Sequence, residues 1–257
     1  MIPFFRKIRK KMADDNRPLK YMRYAVGEIV LVVIGILIAL QINTWNNQQI
    51  EKRKEQSVLI GLHETFTDNL DNLNNIIVMS KDAFDSSKKM LSLIGPNASD
   101  YSVAEVDSLI SHMINYSTYD PFTGSVDDII NSGKLNIIQN NTLKVNISNW
   151  SGMFNDANKD IQIANNHAFN VLMIYLNDKI NLKNIATPKR VSEITQLDIS
   201  TTSHFPANYD VFMQDKEFEN LVVFHALNFN YLIQEYLQIK DYLEENLRIL
   251  EEEIQEQ

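Results

Sequence analysis

The sequence contains no cysteine and, among its 257 residues, only seven glycines and six prolines. The absence of cysteine excludes disulfide scaffolds, thiol catalysis and cysteine-ligated zinc. So few glycines and prolines argue against a turn-rich β-sandwich or barrel. A hydrophobic fraction of 44% and a charged fraction of 22% are ordinary for a folded chain and exclude intrinsic disorder. The net charge of -9 argues against nucleic acid as a partner.

The charge is distributed unevenly along the chain. Residues 1–23 contain eight basic and two acidic side chains, whereas the rest of the chain contains 16 basic and 31 acidic ones. In this basic leader, apolar residues recur at helical spacing between charged ones, which predicts a short amphipathic helix on an anionic cytoplasmic membrane surface. A tail that binds a partner protein is the alternative. The membrane-surface basic residues are Arg6, Lys7, Arg9, Lys10 and Lys11.

A long apolar run, AVGEIVLVVIGILIALQI, follows the leader at residues 25–42. Its centre, Ile29 to Leu40, is twelve apolar residues without interruption. With its flanks, a helix over residues 24–45 is about 33 Å long, which matches a hydrocarbon core of about 30 Å. Tyr24 and Trp45 stand where interfacial aromatic residues are expected. The sequence therefore predicts a transmembrane helix over 24–45.

The basic residues precede the apolar run, so the positive-inside rule predicts a cytoplasmic N-terminus and an external chain after residue 45. Two other interpretations compete, a buried core helix and a cleaved signal peptide. The flanking basic cluster and aromatic residues argue against a core helix. The long leader, and a poor cleavage sequence at Ala39-Leu40-Gln41-Ile42, favour an uncleaved anchor.

Several residues of the run are candidates for assembly in the membrane. Glu28 is its one ionisable residue, and it fits either a structural contact between helices or a proton or ion pathway. A stripe of small and polar residues would let another helix approach closely, although transmembrane helices are in general rich in glycine. We therefore predict oligomerisation through the membrane and assembly residues Gly27, Glu28, Gly35, Ala39, Asn43 and Trp45.

The leader MIPFFRKIRKKM and the stretch KYMRYAVGEIVLVVIGILIALQINTWNNQ resemble the N-terminus of an uncharacterised family of single-pass membrane proteins from Bacteroidota. Members begin with an FFRKIR-like leader followed by GEIVLVVIGILIALQIN-W. The later segment NSGKLNIIQNNTL is similar to a second family segment. The resemblance implies a bacterial inner-membrane protein with a periplasmic domain, and it marks Glu28 as typical of the motif. It implies no activity, cofactor or catalytic residue.

Residues 46–257 are predicted to form a periplasmic helical domain. Long stalk helices are expected over 46–94 and 215–256, where apolar residues keep a three- and four-residue spacing. Shorter helices and a loop fill 95–214, with a helix capped by Asn140 or Asn141 that runs to about residue 180 and an irregular segment after it. The predicted fold is mainly α, with one N-terminal transmembrane helix followed by an elongated periplasmic antiparallel helical bundle.

No recognisable catalytic motif occurs in the sequence. The five histidines show no metal-binding spacing, and no phosphate loop, nucleophile elbow or dinucleotide fingerprint is present. We therefore expect no enzyme activity, catalytic residue, cofactor or metal. Several aromatic residues fit either core packing or a small-ligand cavity, with core packing preferred. These aromatic residues are Tyr101, Tyr116, Tyr119, Phe122, Trp150 and Phe154.

The predicted function is an oligomeric scaffold or interaction module in the cell envelope. Its expected partners are the lipid bilayer, further copies of itself through transmembrane and stalk helices, and an envelope protein. Two alternatives stay open: a periplasmic ligand sensor that works through a partner, and an ion- or proton-conducting oligomer that uses Glu28.

Overall fold

The computed structural model describes residues 18–114, 118–185 and 203–255. These residues form helices and contain no β-strand, which confirms the predicted mainly α class. By its internal contacts the chain divides into two units, Met1–Gln56 and Ser57–Gln257. The predicted boundary between residues 45 and 46 lies inside a helix, and it stays a prediction.

The first helix, α1 (Pro18–Leu93), is 76 residues long. It begins upstream of the predicted start at residue 24 because proline fits the first turn of a helix, where its missing N–H has no partner to lose. It ends one residue before the predicted end at 94. The main-chain N–H of Gly95 there donates to the carbonyl oxygen of Met213 at 3.0 Å, so the chain leaves the helix in contact with a distant segment.

Two shorter helices follow, α2 (Val103–Ile114) and α3 (Gly124–Asn131), and then a 3₁₀ turn at Lys134–Asn136. Gly133, with φ of 75°, separates α3 from this turn in a left-handed conformation that suits glycine. Before α3, the side-chain amide of Asn69 pairs twice with the main chain of Phe122, at 2.7 and 3.0 Å. This pairing holds the connection against α1.

The helix α4 (Asn141–His167) begins at the Asn140 cap, whose side-chain oxygen accepts from the N–H of Leu143 at 3.0 Å. A π-helical turn at Ala168–Leu172 and the short helix α5 (Met173–Leu176) continue it, so the helical segment ends close to the predicted limit near 180. Two short helices lie in the segment predicted to be irregular, α6 (Leu182–Ile185) and α7 (Asp210–Met213). The last helix is α8 (Lys216–Gln255).

In the unit of residues 57–257, α8 runs opposite in direction to α4. Near one end, the Asn140 side chain donates to Glu253 at 2.7 Å, and near the other, His167 hydrogen-bonds to the carbonyl oxygen of Leu221 at 3.0 Å.

The part of α1 that belongs to this unit also runs opposite to α8. The imidazole of His63 lies 3.6 Å from the Glu251 carboxylate, and Lys240 donates to the side-chain oxygen of Asn74 at 2.9 Å. Within this unit, α4 and residues 57–93 of α1 therefore both lie antiparallel to α8.

Two clusters of buried apolar side chains form the core of residues 57–257. Burying each large side chain of this kind stabilises the fold by about 1.5–3 kcal/mol. The first cluster joins α1, α4 and α8, and it includes Leu59, Leu62, Phe66, Leu143, Ile147, Trp150, Tyr236 and Leu243. The second joins the end of α1, α2, the α4–α5 segment, α7 and the start of α8, and it includes Met90, Val106, Ile110, Met113, Leu172, Tyr209, Phe212 and Phe218.

Candidate functional site: an exposed apolar helix segment

The apolar part of α1 is exposed on all sides within its own unit. An 18-residue stretch of this helix has a mean hydropathy of 2.6, and none of that stretch is buried. Every residue from Ile29 to Gln48 is exposed. Exposed apolar surface of this extent is not typical of a surface in water, whereas a helix satisfies its own main-chain hydrogen bonds in lipid. By length and composition, this segment is therefore a candidate membrane span.

The sequence-predicted assembly residues all lie on this exposed helix. Gly27 and Gly35 face open space, since a Cβ added at either position would meet nothing within 4 Å. At about 100° of rotation per residue, Gly35, Ala39 and Asn43 follow one another in steps of about 40°, and Gly27 lies about 80° from Gly35. The four positions form a spiral rather than a straight line. Gly35 and Ala39, four residues apart, match the small-xxx-small spacing of closely packed membrane helices.

Glu28 and Trp45 mark the two ends of the apolar segment. Glu28 is partly covered and Trp45 is exposed. The basic residues Arg6, Lys7, Arg9, Lys10 and Lys11 lie outside the described residues, so their membrane-surface role stays a prediction.

A pair of buried histidines lies between α4 and α8. The ring centroids of His167 and His225 are 5.7 Å apart. Each Nε2 lies near a main-chain carbonyl oxygen, that of Leu221 for His167 at 3.0 Å and that of Met113 for His225 at 3.1 Å. Because a carbonyl only accepts, both Nε2 atoms carry the proton and both Nδ1 atoms are bare.

Burial sets the charge state of the pair. It lowers the pKa of His225 to about 4, a change that the Met113 carbonyl partly opposes and the neighbouring His167 reinforces. Burial also lowers the pKa of His167, against a smaller opposite effect of the Leu221 carbonyl. Both imidazoles are therefore neutral at pH 7. The Nδ1 of His225 is buried and makes no hydrogen bond within the described parts of the chain.

Three tyrosine–aspartate hydrogen bonds surround the second core cluster. Tyr209 donates to the buried Asp107. The other two join Tyr101 to Asp210, and Tyr175 to Asp215 at 2.6 Å. Burial, the carboxylate hydrogen bond and its negative charge raise the pKa of Tyr101 to about 12, and the same three causes raise that of Tyr209. These phenols stay protonated at neutral pH and act as hydrogen-bond donors.

The aromatic residues that fitted either a core or a ligand cavity pack mainly against other aromatic rings. Tyr119 contacts Phe154 and Tyr236 edge to face, at 6.1 and 6.2 Å between centroids, and Trp150 lies 5.5 Å from Phe66. This packing favours the core interpretation for Tyr119, Trp150 and Phe154. Tyr101 instead bonds Asp210, Phe122 is exposed, and Tyr116 lies outside the described residues.

Sequence reasoning missed the histidine pair and the tyrosine–aspartate bonds as sites. His167 and His225 are 58 positions apart and carry no metal-binding spacing, and Tyr209 lies 102 positions from its acceptor. The one available signal was at His225, a lone histidine within an apolar turn, whereas His167 directly follows Asn165 and Asn166. Within residues 18–114, 118–185 and 203–255, no group of three or more histidine or acidic side chains could hold a metal ion.

Comparison with known proteins assigns a family but no activity. The model of a family of unknown function, DUF6090, matches residues 28–183, which is more than half of the chain. The matched range begins at Glu28 and extends past α5 into α6. No curated protein and no solved structure matches the chain.

Proposed function

The chain belongs to DUF6090, a family of unknown function, and we propose that it is a single-pass protein of a bacterial inner membrane. In this proposal residues 24–45 span the bilayer, the leader lies in the cytoplasm, and the following residues form an antiparallel helical bundle in the periplasm. The protein acts as an oligomeric scaffold or interaction module of the envelope, without catalysis. The exposed apolar segment of α1 carries the proposal.

The energetics of insertion favour the membrane. Between Ile29 and Leu40 the chain has ten leucine, isoleucine and valine residues. At about -0.3 to -0.6 kcal/mol each, they contribute roughly -4 kcal/mol to insertion, whereas an ionised side chain at the bilayer centre costs about 3 kcal/mol. Glu28 lies about one turn inside the membrane interface, where the cost is smaller than at the centre. The apolar residues therefore outweigh the single acid.

The charge distribution supports the proposed orientation. Eight basic residues precede the apolar segment, and the chain after it has an excess of acidic residues. Lysine and arginine near a span are retained on the cytoplasmic side. The long leader and the poor cleavage sequence after Leu40 support an uncleaved anchor rather than a signal peptide.

The oligomeric part of the proposal is supported by the open faces of Gly35 and Ala39, which suit close helix packing. The scaffold role is supported by a core that joins long helices and by a sequence without catalytic motifs. A second candidate function, ion or proton conduction by the oligomer, is favoured by Glu28, the one acidic or basic residue of segment 24–45.

The two tryptophans provide a matched test, because Trp45 is exposed at the edge of the segment and Trp150 is buried in the core. The full chain is reconstituted in vesicles that contain brominated lipids. With Trp150→Phe, the fluorescence of Trp45 should be strongly quenched, whereas with Trp45→Phe, that of Trp150 should not. Equal quenching of the two, or no quenching of Trp45, would exclude the proposed span.

A further inference from the structure

Two neighbouring helical segments lack charge altogether. Residues 161–177 of the α4–α5 segment contain no aspartate, glutamate, lysine or arginine, and neither do residues 220–234 of α8. The remainder of α8, residues 235–255, contains nine such residues. Because 22% of the whole chain is charged, two charge-free stretches of 17 and 15 residues are a distinct local feature.

These stretches lie side by side. The ring of His167 contacts that of Phe224, with 4.9 Å between centroids, and its Nε2 bonds to the carbonyl of Leu221. Ile163 and Val171 lie one turn before and one turn after His167 and are exposed. Six exposed apolar residues of the two helices therefore form one surface, which we name the neutral face and define as Ile163, Val171, Ile174, Phe224, Leu227 and Tyr231.

The side chains of this surface are open to solvent although they are large and apolar. Ile174 is 67% exposed, Tyr231 62% and Leu227 48%. Phe224, Leu227 and Tyr231 follow a spacing of three and four residues, so they share one stripe of α8. The centres of protein interfaces are depleted of charged residues and enriched in aromatic residues, and this surface has both properties.

The charge of the unit indicates which partner fits. Residues 57–257 contain 28 acidic and 13 basic side chains, so two copies repel each other over most of their surface. A strongly charged partner would find no opposite charge on the neutral face. A second copy finds there a surface that is uncharged and apolar like itself. A 17-residue helical stretch is about 25 Å long, so the centre of the face lies about 12 Å from the charged residues beyond its ends, which is farther than the screening length of about 8 Å.

We propose that the neutral face is a two-fold interface between two copies of this chain. It measures about 25 Å by about 20 Å, or roughly 500 Å² per copy, against about 800 Å² in a standard interface. Association is therefore weak between free domains. It becomes effective when both copies are anchored in one bilayer, where tethering raises their local concentration. The interface thus rests on the proposed membrane anchorage.

Single cysteines test this interface, since the chain has no native cysteine. Leu227→Cys is introduced into the full chain and reconstituted in vesicles, and a short bismaleimide is added. Val78→Cys is the matched control, because Val78 is an exposed apolar residue of α1, 68% exposed and outside the neutral face. The expected result is at least ten times more covalent dimer for Leu227→Cys than for Val78→Cys. Tyr231→Cys should behave like Leu227→Cys.

A charge at the same surface should abolish the crosslink. Adding Leu227→Glu to Tyr231→Cys should reduce its dimer at least tenfold, whereas adding Val78→Glu should not, with helix content by circular dichroism unchanged in both. If light scattering of the detergent-solubilised chain gives an oligomer but the two cysteine positions crosslink no better than Val78→Cys, the neutral face is not the interface and the oligomeric function stands. A monomer in vesicles would overturn both.

Discussion

The imidazoles of His167 and His225 lie against each other between α4 and α8, each anchored by Nε2 to a main-chain carbonyl. His225 is completely buried and His167 nearly so. Neither ring can take a second proton without bringing a positive charge into an apolar environment next to another imidazole. The pair therefore makes the fold sensitive to acid.

We expect the free energy of unfolding of the chain to decrease as the pH is lowered, because of His225. Burial holds its folded pKa at about 4, whereas an unfolded histidine titrates near 6.5. A lowered folded pKa means that the unfolded state binds the proton first, so this contribution to stability is fully present above pH 6.5 and is lost as the pH falls toward 4. The free energy of unfolding should decrease by up to about 3 kcal/mol over this range from His225 alone.

Urea unfolding of the full chain in detergent, followed by circular dichroism at several pH values, measures this effect. His225→Gln is the comparison, since its amide can still donate to the Met113 carbonyl but does not titrate. The variant should show a clearly shallower pH dependence than the wild type, whatever its stability at pH 7. Identical pH dependence in the two proteins would show that His225 does not contribute to the sensitivity to acid.

The bond from Tyr209 to Asp107 should contribute measurably to stability. Both groups are buried, so Tyr209→Phe leaves a buried carboxylate without its donor, at a cost of about 1–3 kcal/mol. Tyr101→Phe removes the same chemical group from a bond to the exposed Asp210, and it should cost less than about 1 kcal/mol. The urea midpoints of the two variants measure these losses in the free energy of unfolding. Equal losses for Tyr209→Phe and Tyr101→Phe would contradict the role assigned to burial.

Glu28 should strengthen assembly in the membrane. Replacing it by leucine removes a polar group that can bond between helices, and association should weaken by about 1 kcal/mol, or roughly fivefold. Val32→Leu, which exchanges one apolar residue of the segment for another, should leave the oligomer unchanged. Light scattering in detergent at several protein concentrations measures the difference. An intact Glu28→Gln oligomer that has lost ion flux in vesicles would instead favour conduction.

Local signals were sufficient to predict most helices. The asparagine at the start of α4 could be predicted as Asn140 or Asn141 because both can cap a helix. In the structure the cap is Asn140, whose side-chain oxygen accepts from the N–H of Leu143. Its side-chain amide also donates a hydrogen bond to Glu253, 113 positions away. That second bond is a tertiary contact, so spacing along the chain could not distinguish the two residues. The end of the helical segment that α4 begins could also be predicted within a few residues, because the spacing of apolar residues is a local signal.

The features that could not be predicted depend on distant partners. The π-helical turn at Ala168–Leu172 has an ordinary helical composition, so nothing local distinguishes it from an α-helix. Nothing in the local sequence distinguishes the buried Asp107 from a solvent-exposed acid, because its hydrogen-bond partner Tyr209 lies 102 positions away. The apolar segment of α1 could be predicted because it depends on composition alone.

The most direct measurement of the central claim is the accessibility of single cysteines in intact spheroplasts. Val78→Cys should react with a membrane-impermeant maleimide before lysis, whereas Ala13→Cys in the leader should react only after lysis, and both chains should be recovered unprocessed in the membrane fraction. Labelling of Val78→Cys only after lysis, or recovery of a shortened chain in the soluble fraction, would contradict an uncleaved helix that carries its domain outside the inner membrane.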